Sequence, residues 1–367
     1  MASVGIDASR AVSTAPTGTE AYSYHLIRAL VPLLQPEHDV RLYFREPHGD
    51  LNFPEADERV IPFPRLWTHL RLSWEMARHP PDLLFVPAHV LPPVRPRRTL
   101  VTVHDLGYRF FPEAHPRQQR LYLDLSTRWN ARVADHVLAD SRATRDALVA
   151  EYGVPEARIT VVYPGYDAAL APVRDLEALA RVRRQYEIPG RYVLYLGRIQ
   201  PRKNLERLVE AFARILPHQS DLTLVLAGPE GWLAEPVHAR VRALGLEARV
   251  RFPGYVAEED KATLLSGARC FAFPSLYEGF GFPVLEAQAC GVPILTSTTS
   301  SLPEVAGDGA LLVPPEDTDA IAEGLMRLLE DGELRGQLIE RGKQNLRRFS
   351  WAGAASDVAE IIEDLLS

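Results

Sequence analysis

The stretch SLYEGFGFPVLEAQACGVPIL, residues 275–295, decides the fold of this chain. The segments CFAFPS before it and VPILTS at its end are apolar and β-prone, so both are predicted to be strands. A helix near residues 283–290 fits between the two strands. A strand, glycine loop, helix and strand in this order form a βαβ unit. In open α/β sheets, ligands bind at the carboxyl ends of strands, in the loops that lead to the following helices.

Short apolar strands alternate with amphipathic helices along the whole chain. The first half has strands at SVGID, DVRLYF, DLLFVPA, TLVTVHD and HVLAD, and helices near residues 19–34, 66–78, 116–134 and 142–152. After ITVVYPGYD and a polar helix near 173–186, the second half has strands at YVLYLG, LTLVLAG, VRFPGY, CFAFPS, PILTS and ALLVPP, and helices near 204–216, 235–244, 258–266 and 283–290. This alternation predicts right-handed βαβ units and parallel sheets.

The chain is long enough for more than one domain. Its 367 residues suggest two domains at about 150 residues each. We predict an α/β protein of two Rossmann-like, doubly wound domains, residues 1–168 and 186–345, that face each other across a cleft. The last segment is predicted to be an amphipathic helix capped by Ser350, packed on either domain.

Composition and charge exclude several classes of protein. The net charge of -7 argues against a nucleic-acid-binding protein. Cys270 and Cys290 both lie in apolar runs, which favours buried core residues and a reducing compartment over a disulfide framework. No signal-peptide pattern and no apolar run of about 18 residues is present. We therefore expect a cytoplasmic protein.

Two common nucleotide-binding signatures are missing. Gly279 and Gly281 begin a G-x-G, but Val284 stands where the dinucleotide fingerprint needs a third glycine, and no G-x-x-x-x-G-K-[ST] occurs. An Asp-x-Asp, Asp317 and Asp319, follows PPE at a helix start, where capping explains it better than a metal site. We expect no metal and no cofactor.

The glycine loop has the features of an anion site with carboxylates on either side. Gly279 and Gly281 allow close approach of a ligand to the main chain, and the helix that follows offers free N–H groups. Glu286, one turn into this helix, can accept hydrogen bonds from a ribose diol, and Glu278 can reach a sugar ring. Alternatively, Glu286 only interacts favourably with the helix dipole and Glu278 is solvated.

A second group of residues lies in YLGRIQPRKNLERLVEAF. Arg198 follows a buried strand and Lys203 lies at the start of the next helix, so both can point into the crevice of the glycine loop. Two fixed positive charges there would stabilise a diphosphate leaving group without a metal ion. The alternative is a pair of solvated surface charges.

These motifs resemble those of the family 4 retaining glycosyltransferases of the GT-B fold (glycosyltransferase group 1), including bacterial mannosyltransferases. Glu278 and Glu286 match the family's E-x7-E motif, and its G-R-x-x-x-x-K-N element is matched by Gly197, Arg198, Lys203 and Asn204. The segment VRFPGYVAEEDKATLLSGARCFAFPS resembles the one whose main chain, here Gly254, Tyr255 and Val256, reads the nucleobase. The resemblance covers nearly the whole chain.

The resemblance implies a nucleotide-sugar donor, a glycan or lipid-linked glycan acceptor, and front-face attack with retention at the sugar. It implies His104 and Glu278 as catalytic residues, and as donor-binding residues Gly18, Arg198, Lys203, Tyr255, Phe280, Gly281, Phe282, Val284 and Glu286. His104, at the end of TLVTV, matches the histidine that contacts the donor sugar, although a lone histidine is more often structural. Gly18 and Tyr22 match the first helix, but Glu20 stands where many relatives have a second glycine.

The expected reaction is transfer of a hexose to a sugar hydroxyl of a growing glycan. GDP-mannose is the first expectation for the donor and UDP-glucose the next. A GT-B-fold epimerase or phosphorylase, or a nucleotide-sugar-binding protein without catalysis, remain alternatives.

Two arginine-containing segments bear on the acceptor. FPRLWTHLRLSWEMARH, residues 63–79, places Trp67, Leu70 and Trp74 at helical spacing. This helix either lies on a membrane surface beside a lipid-linked acceptor or packs on its own domain. The arginines of residues 117–145 belong either to a surface for an acidic membrane, as peripheral contact with its inner face would require, or to an ordinary solvated helix face.

Overall fold

The chain folds into two compact units, each built on one sheet. The computed structural model describes residues 1–12, 18–47, 56–88 and 90–367. Unit 1 comprises Met1–Arg109, Pro116–Gly165 and Phe349–Ser367, and unit 2 comprises Phe110–His115 and Tyr166–Arg348. Residues 16–17, which begin the predicted loop before Gly18, lie outside the described residues.

The sheet of unit 1 is entirely parallel, with strand order β3-β2-β1-β4-β5-β6-β7. Its strands are β1 Ala2–Asp7, β2 His38–Phe44, β3 Asp57–Val60, β4 Leu83–Val86, β5 Arg98–Val103, β6 His136–Ala139 and β7 Ile159–Val161. The helices in this part of the chain are α1 Gly18–Leu34, a π-helix Trp67–Leu72 that continues into α2 Ser73–Arg78, α3 Gly107–Phe110, α4 Arg117–Val133 and α5 Arg142–Tyr152. Strand β3 was not predicted, because the edge segment DERV holds a single apolar residue.

The sheet of unit 2 is also parallel, with strand order β10-β9-β8-β11-β12-β13. Its strands are β8 Arg191–Leu196, β9 Leu222–Ala227, β10 Val250–Gly254, β11 Cys270–Phe273, β12 Ile294–Ser297 and β13 Leu311–Val313. Its helices are α6 Leu176–Gln185, α7 Leu205–Ile215, α8 Glu235–Ala243, α9 Glu258–Ser266, α10 Phe282–Ala289, α11 Leu302–Ala306, α12 Thr318–Glu330 and α13 Gly332–Asn345. The prediction of two parallel α/β sheets is confirmed.

The last helix, α14 Trp351–Leu366, belongs to unit 1 and lies along α1. Ser350 caps it as predicted, because its side chain accepts a hydrogen bond from the Gly353 N–H at 3.0 Å. Farther along, Glu363 lies 2.6 Å from His38 of β2. The domain boundaries 1–168 and 186–345 remain predictions.

Interior strands of both sheets are buried on both faces. All four residues of β4 and all six of β9 are buried, as expected for strands covered by helices on each side. Cys270 and Cys290 are buried and unbonded, which confirms their prediction as core residues. Among the described residues, no helix is long and apolar enough to cross a membrane.

Strand order reverses once in each sheet, and this reversal positions the candidate sites. In unit 1 the reversal lies between β1 and β4, and in unit 2 between β8 and β11. Loops that leave the carboxyl ends of two such strands run to opposite faces of the sheet, and the crevice between them binds ligands.

Candidate functional site

A buried charge cluster lies at the strand reversal of unit 2. Lys203 follows β8 and Glu278 follows β11; Lys203 Nζ lies 2.5 Å from Glu278 Oε1. Arg202 Nη1 lies 3.0 Å from Glu278 Oε2, so each carboxylate oxygen has a cationic partner. Of these two cations only Lys203 was predicted. Arg202 precedes it directly in the sequence, and this neighbouring arginine could have indicated the second partner of Glu278.

Burial and charge act in opposite directions on Glu278. The residue is 6% exposed and Lys203 is 8% exposed. Burial raises the pKa of Glu278, but the charges of Lys203 and Arg202 outweigh it and hold that pKa below its ordinary value. Lys203 Nζ also lies 4.9 Å from the centre of the Phe273 ring. The alternative of a solvated Glu278 is therefore wrong.

Asn204 joins the loops that hold this cluster. It begins α7 with a left-handed backbone (φ 62°), and its Nδ2 donates to the carbonyls of Pro274 at 3.0 Å and Pro315 at 2.6 Å. Pro274 directly follows β11 and Pro315 lies two residues after β13, so one side chain joins the start of α7 to the loops that follow both strands. This explains why an asparagine follows Lys203, since its short amide tolerates the left-handed region.

The glycine loop is fastened by two serines that sequence reasoning missed. Ser300 Oγ accepts a hydrogen bond from the Glu278 N–H at 3.0 Å. Ser301 Oγ lies 2.9 Å from the carbonyl of Glu278 and 2.6 Å from that of Phe280, and it donates to one of them at a time. Gly281 has φ 116°, and a Cβ there would lie 2.9 Å from Leu302. The loop thus needs a glycine at this position.

The second motif carboxylate has a lysine partner. Lys261 of α9 lies 3.1 Å from Glu286 Oε1 and 2.8 Å from Glu258. Burial lowers the pKa of Lys261, but Glu286 and Glu258 outweigh this and raise it. The Glu286 side chain is 18% exposed, so it is held by a cation on one side and still reaches solvent. Sequence analysis did not single out Lys261 as part of the site.

The other predicted donor-binding residues differ in what they expose. The Arg198 and Tyr255 side chains are exposed, and no ion pair of Arg198 is found within the described ranges of the chain. Phe280 and Val284 are buried, and the Val284 N–H donates to Gly281 O at 3.0 Å. The rings of Phe280 and Phe282 pack edge to face at 5.1 Å.

His104 lies in unit 1, at the carboxyl end of β5. Its Nδ1 lies 2.6 Å from Asp140 Oδ2 and its Nε2 lies 2.9 Å from the carbonyl of Pro87. Burial lowers the pKa of His104, but the charge of Asp140 and these two acceptors outweigh it and raise it. In the imidazolium form both ring N–H groups donate, one to Asp140 and the other to the Pro87 carbonyl. Asp140 was missed, although it directly follows β6, the strand next to β5.

A cleft of about 390 Å³ opens at the same edge of unit 1. It is lined by Ser9, Arg10, Val12, Glu20, Arg45, Glu46, Leu66, Trp67, Thr68, His69 and Tyr122. Gly18 is the exposed first residue of α1 beside it. Glu20, which replaces the second glycine of many relatives, lies 3.2 Å from Arg10. The cleft combines carboxylates and arginines with an aromatic wall in which the His69 and Tyr122 rings lie 5.9 Å apart.

The Asp-x-Asp is a helix cap, as predicted. Asp317 accepts a hydrogen bond from the Ala320 N–H at 3.0 Å, and Asp319 pairs with Arg214. Within the described part of the chain, the group of residues with metal-ligand geometry is Glu37, His38 and Glu363 in unit 1. The expected absence of a metal remains a prediction.

Comparisons with known proteins identify the family. Residues 180–345 match the group 1 glycosyl transferases, and residues 16–170 match glycosyltransferase family 4. The chain is 33% identical over 308 residues to the O-antigen chain mannosyltransferase B of Escherichia coli, covering 83% of this chain and 80% of that protein. The chain is a family 4 glycosyltransferase. Enzymes of this family transfer a sugar from a nucleotide sugar, and this enzyme therefore does so too.

Solved structures place this family 4 glycosyltransferase in the GT-B fold. The sucrose-phosphate synthase of Thermosynechococcus elongatus superposes with a TM-score of 0.76 at 23% identity, covering 100% of this chain and 99% of that one. Anabaena HepE in complex with UDP and glucose superposes with a TM-score of 0.75 at 21% identity, covering 99% of both chains. At these identities the likeness concerns the fold, and the predicted fold class is confirmed.

Proposed function

We propose that this glycosyltransferase moves a hexose, mannose from GDP-mannose, to a sugar hydroxyl of a growing glycan with retention and without a metal ion. The observation that carries the proposal is the charge cluster at the strand reversal of unit 2. There Lys203 and Arg202 flank a single buried carboxylate, Glu278. Arg198 follows β8, the strand that also precedes Lys203.

The charge balance of this cluster suits a diphosphate. Arg198, Arg202 and Lys203 carry three positive charges against the one negative charge of Glu278, which leaves an excess close to the charge of a sugar-nucleotide diphosphate. Cations held in fixed positions stabilise a leaving phosphate without the reorganisation that water requires. This is the physical support for expecting no metal ion.

Glu278 has two parts in this proposal. Its oxygens fix Lys203 and Arg202 beside the strand reversal, because each cation has a carboxylate oxygen to bind. A carboxylate has about four lone-pair sites, so the remaining ones are available to a sugar hydroxyl. Glu286, oriented by Lys261, has the exposed edge that a ribose diol requires.

The proposed retention is compatible with what the site supplies. At the unit 2 reversal lie the cations Arg202 and Lys203 and a glutamate, Glu278, whose two oxygens face them. Such a set stabilises departing charge better than it supplies a nucleophile or base. We therefore propose front-face attack in which the leaving phosphate accepts the proton of the acceptor hydroxyl.

The cleft of unit 1 is proposed as the acceptor site. Glu20 and Glu46 offer acceptors and Arg10 and Arg45 offer donors, so hydroxyl groups of either orientation find partners. The ring of Tyr122 supplies an apolar surface for the C–H face of a sugar. The balanced charge favours a glycan acceptor, and a lipid-linked glycan is the specific form that we propose.

Mannose is proposed from likeness to a mannosyltransferase over 83% of the chain. The likeness to HepE, solved with UDP and glucose, favours UDP-glucose as the second candidate. The test incubates the full chain with each nucleotide sugar and a lipid-linked glycan fraction, with EDTA present, and follows nucleoside diphosphate release and the anomer of the transferred sugar. Transfer of an α-linked mannose is expected; formation of sugar phosphate or an epimer, or an inverted linkage, would contradict the proposal.

A further inference from the structure

A second cavity of unit 2, a groove of about 520 Å³, is lined by three arginines, Arg183, Arg184 and Arg251. Glu187 is the carboxylate among its lining residues, so three positive charges stand against one negative charge. We call this cavity the arginine groove. In a chain with a net charge of -7, an excess of positive charge in one groove indicates an anionic ligand.

The three arginines are not neutralised by neighbouring carboxylates. Among the residues that the structure describes, no ion pair of Arg183, Arg184 or Arg251 is found. Arg181 of the same helix differs, because it lies 2.7 Å from Asp260. Within the same described residues, Arg183 Nε is buried and has no hydrogen-bond partner. A buried donor without a partner is rare in proteins and indicates a missing water, ion or ligand.

The end of α6 does not require these arginines as caps. Basic side chains often bind the free carbonyls at the carboxyl end of a helix. Here the turn after the helix already occupies them, since the Glu187 N–H donates to Arg184 O at 3.2 Å and the Ile188 N–H donates to Arg183 O at 2.8 Å. The helix dipole also favours positive charge at this end, but it does not explain Arg251, which belongs to a strand.

The backbone holds the arginine groove in shape. Glu187 has a left-handed conformation (φ 52°), which turns the chain from α6 towards β8. Arg251 of β10 donates through Nη1 to the carbonyls of Glu247 at 3.0 Å and Val250 at 3.2 Å. Because a guanidinium has five N–H donors, those on Nε and Nη2 remain for a ligand. Cations held in this way lose less conformational entropy when they bind an anion.

The arginine groove and the buried charge cluster lie at opposite edges of the sheet. Pro189 precedes β8 and Arg251 is the second residue of β10, so the groove lies at the amino ends of these strands. Lys203 and Glu278 follow the carboxyl ends of β8 and β11. A strand of six residues, the length of β8, spans about 20 Å. A ligand of the groove is therefore separate from the donor diphosphate.

We propose that the arginine groove is a second binding site of unit 2, for a small molecule that carries phosphate groups. Guanidinium groups bind phosphate oxygens through parallel hydrogen bonds, and arginine is the side chain best suited to this geometry. The volume suits a small molecule, and Ile188 and Pro189 add an apolar part to the lining. This assignment is independent of the proposed sugar transfer.

Hydrogen exchange of the full chain during a titration with pyrophosphate distinguishes the two sites. Peptides that cover residues 176–190 report on the arginine groove, and peptides that cover residues 274–290 report on the glycine loop. We expect exchange of residues 176–190 to slow as pyrophosphate is added. Sodium chloride at the same ionic strength should not slow it, and inorganic phosphate should act only at higher concentration, because it carries fewer charges.

The triple variant Arg183→Gln, Arg184→Gln, Arg251→Gln should raise the pyrophosphate concentration at half-maximal protection of residues 176–190 by about 100-fold or more. Each charge-assisted hydrogen bond that is lost accounts for about tenfold. The response of residues 274–290 should not change. Arg184→Gln alone changes an exposed side chain and is expected to fold, and it should raise the same concentration by about tenfold.

The matched control replaces Arg327, Arg341 and Arg347 with glutamine. These arginines of unit 2 are exposed and lie outside the groove, so the control changes the net charge equally and should respond as the wild type does. Three outcomes would overturn the proposal: no protection of residues 176–190 by millimolar pyrophosphate, equal protection by sodium chloride, or the same shift in groove and control variants. Protection of the groove without sugar transfer would refute only the proposed function.

Discussion

Lys203→Met should destabilise unit 2 because it leaves Glu278 buried with one cation instead of two. Removal of one partner from a buried ion pair costs about 3 to 5 kcal/mol. Arg202 remains 3.0 Å from Glu278 Oε2, so we expect the lower end, about 3 kcal/mol. Methionine keeps the unbranched apolar stem, so most of the loss comes from the charge.

A double-mutant cycle with Glu278→Gln isolates the pair. When both charges are removed, no lone buried carboxylate remains, and the double variant should be more stable than Lys203→Met alone. We expect a coupling energy of about 2 to 3 kcal/mol, within the range for residues in one ion-pair network. The deficit of Lys203→Met should also shrink as pH falls, because Glu278 then takes up a proton instead of remaining buried and charged.

Hydrogen exchange of peptides from β8 and β9 measures the opening free energy of unit 2 without interference from unit 1. The control is Lys343→Met, which removes a half-exposed lysine whose ion pair with Glu340 lies at the surface. Additive effects of Lys203→Met and Glu278→Gln, with no coupling, would refute the electrostatic explanation. Nucleotide titration of the same proteins separates stability from function, since the double variant should recover stability but not binding.

Three further predictions concern nucleotide binding, pH and metal ions. Lys261→Met should weaken nucleotide binding by about tenfold because Glu286 loses its orienting partner; a titration with unchanged affinity would return Lys261 to a purely structural role. Burial raises the pKa of Asp7 to about 6, so the native protein loses stability as pH rises from about 4 to 6. Asp7→Asn should therefore be more stable than the wild type by up to about 3 kcal/mol at pH 8 and equal to it at pH 4 by urea unfolding, whereas an identical difference at both pH values would contradict this. EDTA should leave sugar transfer unchanged, and activity that is lost and then restored by manganese would show that a metal takes part.

The sequence predicted most of the elements that have strong apolar periodicity, but α12 was noted only by its start and α13 was not named. All the strands named from it exist within one or two residues at most ends, because buried parallel strands are nearly continuous apolar runs. Strand β3 was not predicted because DERV is an edge strand, and most of its residues have a weak β-strand propensity. The π-helix Trp67–Leu72 was predicted only as a helix, since one extra residue in a turn leaves no mark on the pattern.

The site residues that belong to a sequence motif were predicted. Their hydrogen-bond and ion-pair partners were missed when these lie on another helix, strand or loop. Glu278 and Glu286 stand in one motif, but the contacts of Glu286 with Lys261 and of the glycine loop with Ser300 join residues 25 and 22 positions apart. Asp140 meets His104 only because β5 and β6 are neighbours in the sheet. Such contacts depend on strand order, which spacing within one segment does not contain.

Isothermal titration of the full chain with GDP-mannose and UDP-glucose tests most directly whether the buried cluster of unit 2 binds the donor diphosphate. The wild type should bind one of these donors, and Lys203→Met should weaken that binding by roughly 10- to 100-fold, the value of a charge-assisted hydrogen bond. Lys343→Met should bind as the wild type does. Equal affinity of all three proteins, or no binding of either donor by the wild type, would contradict the donor site.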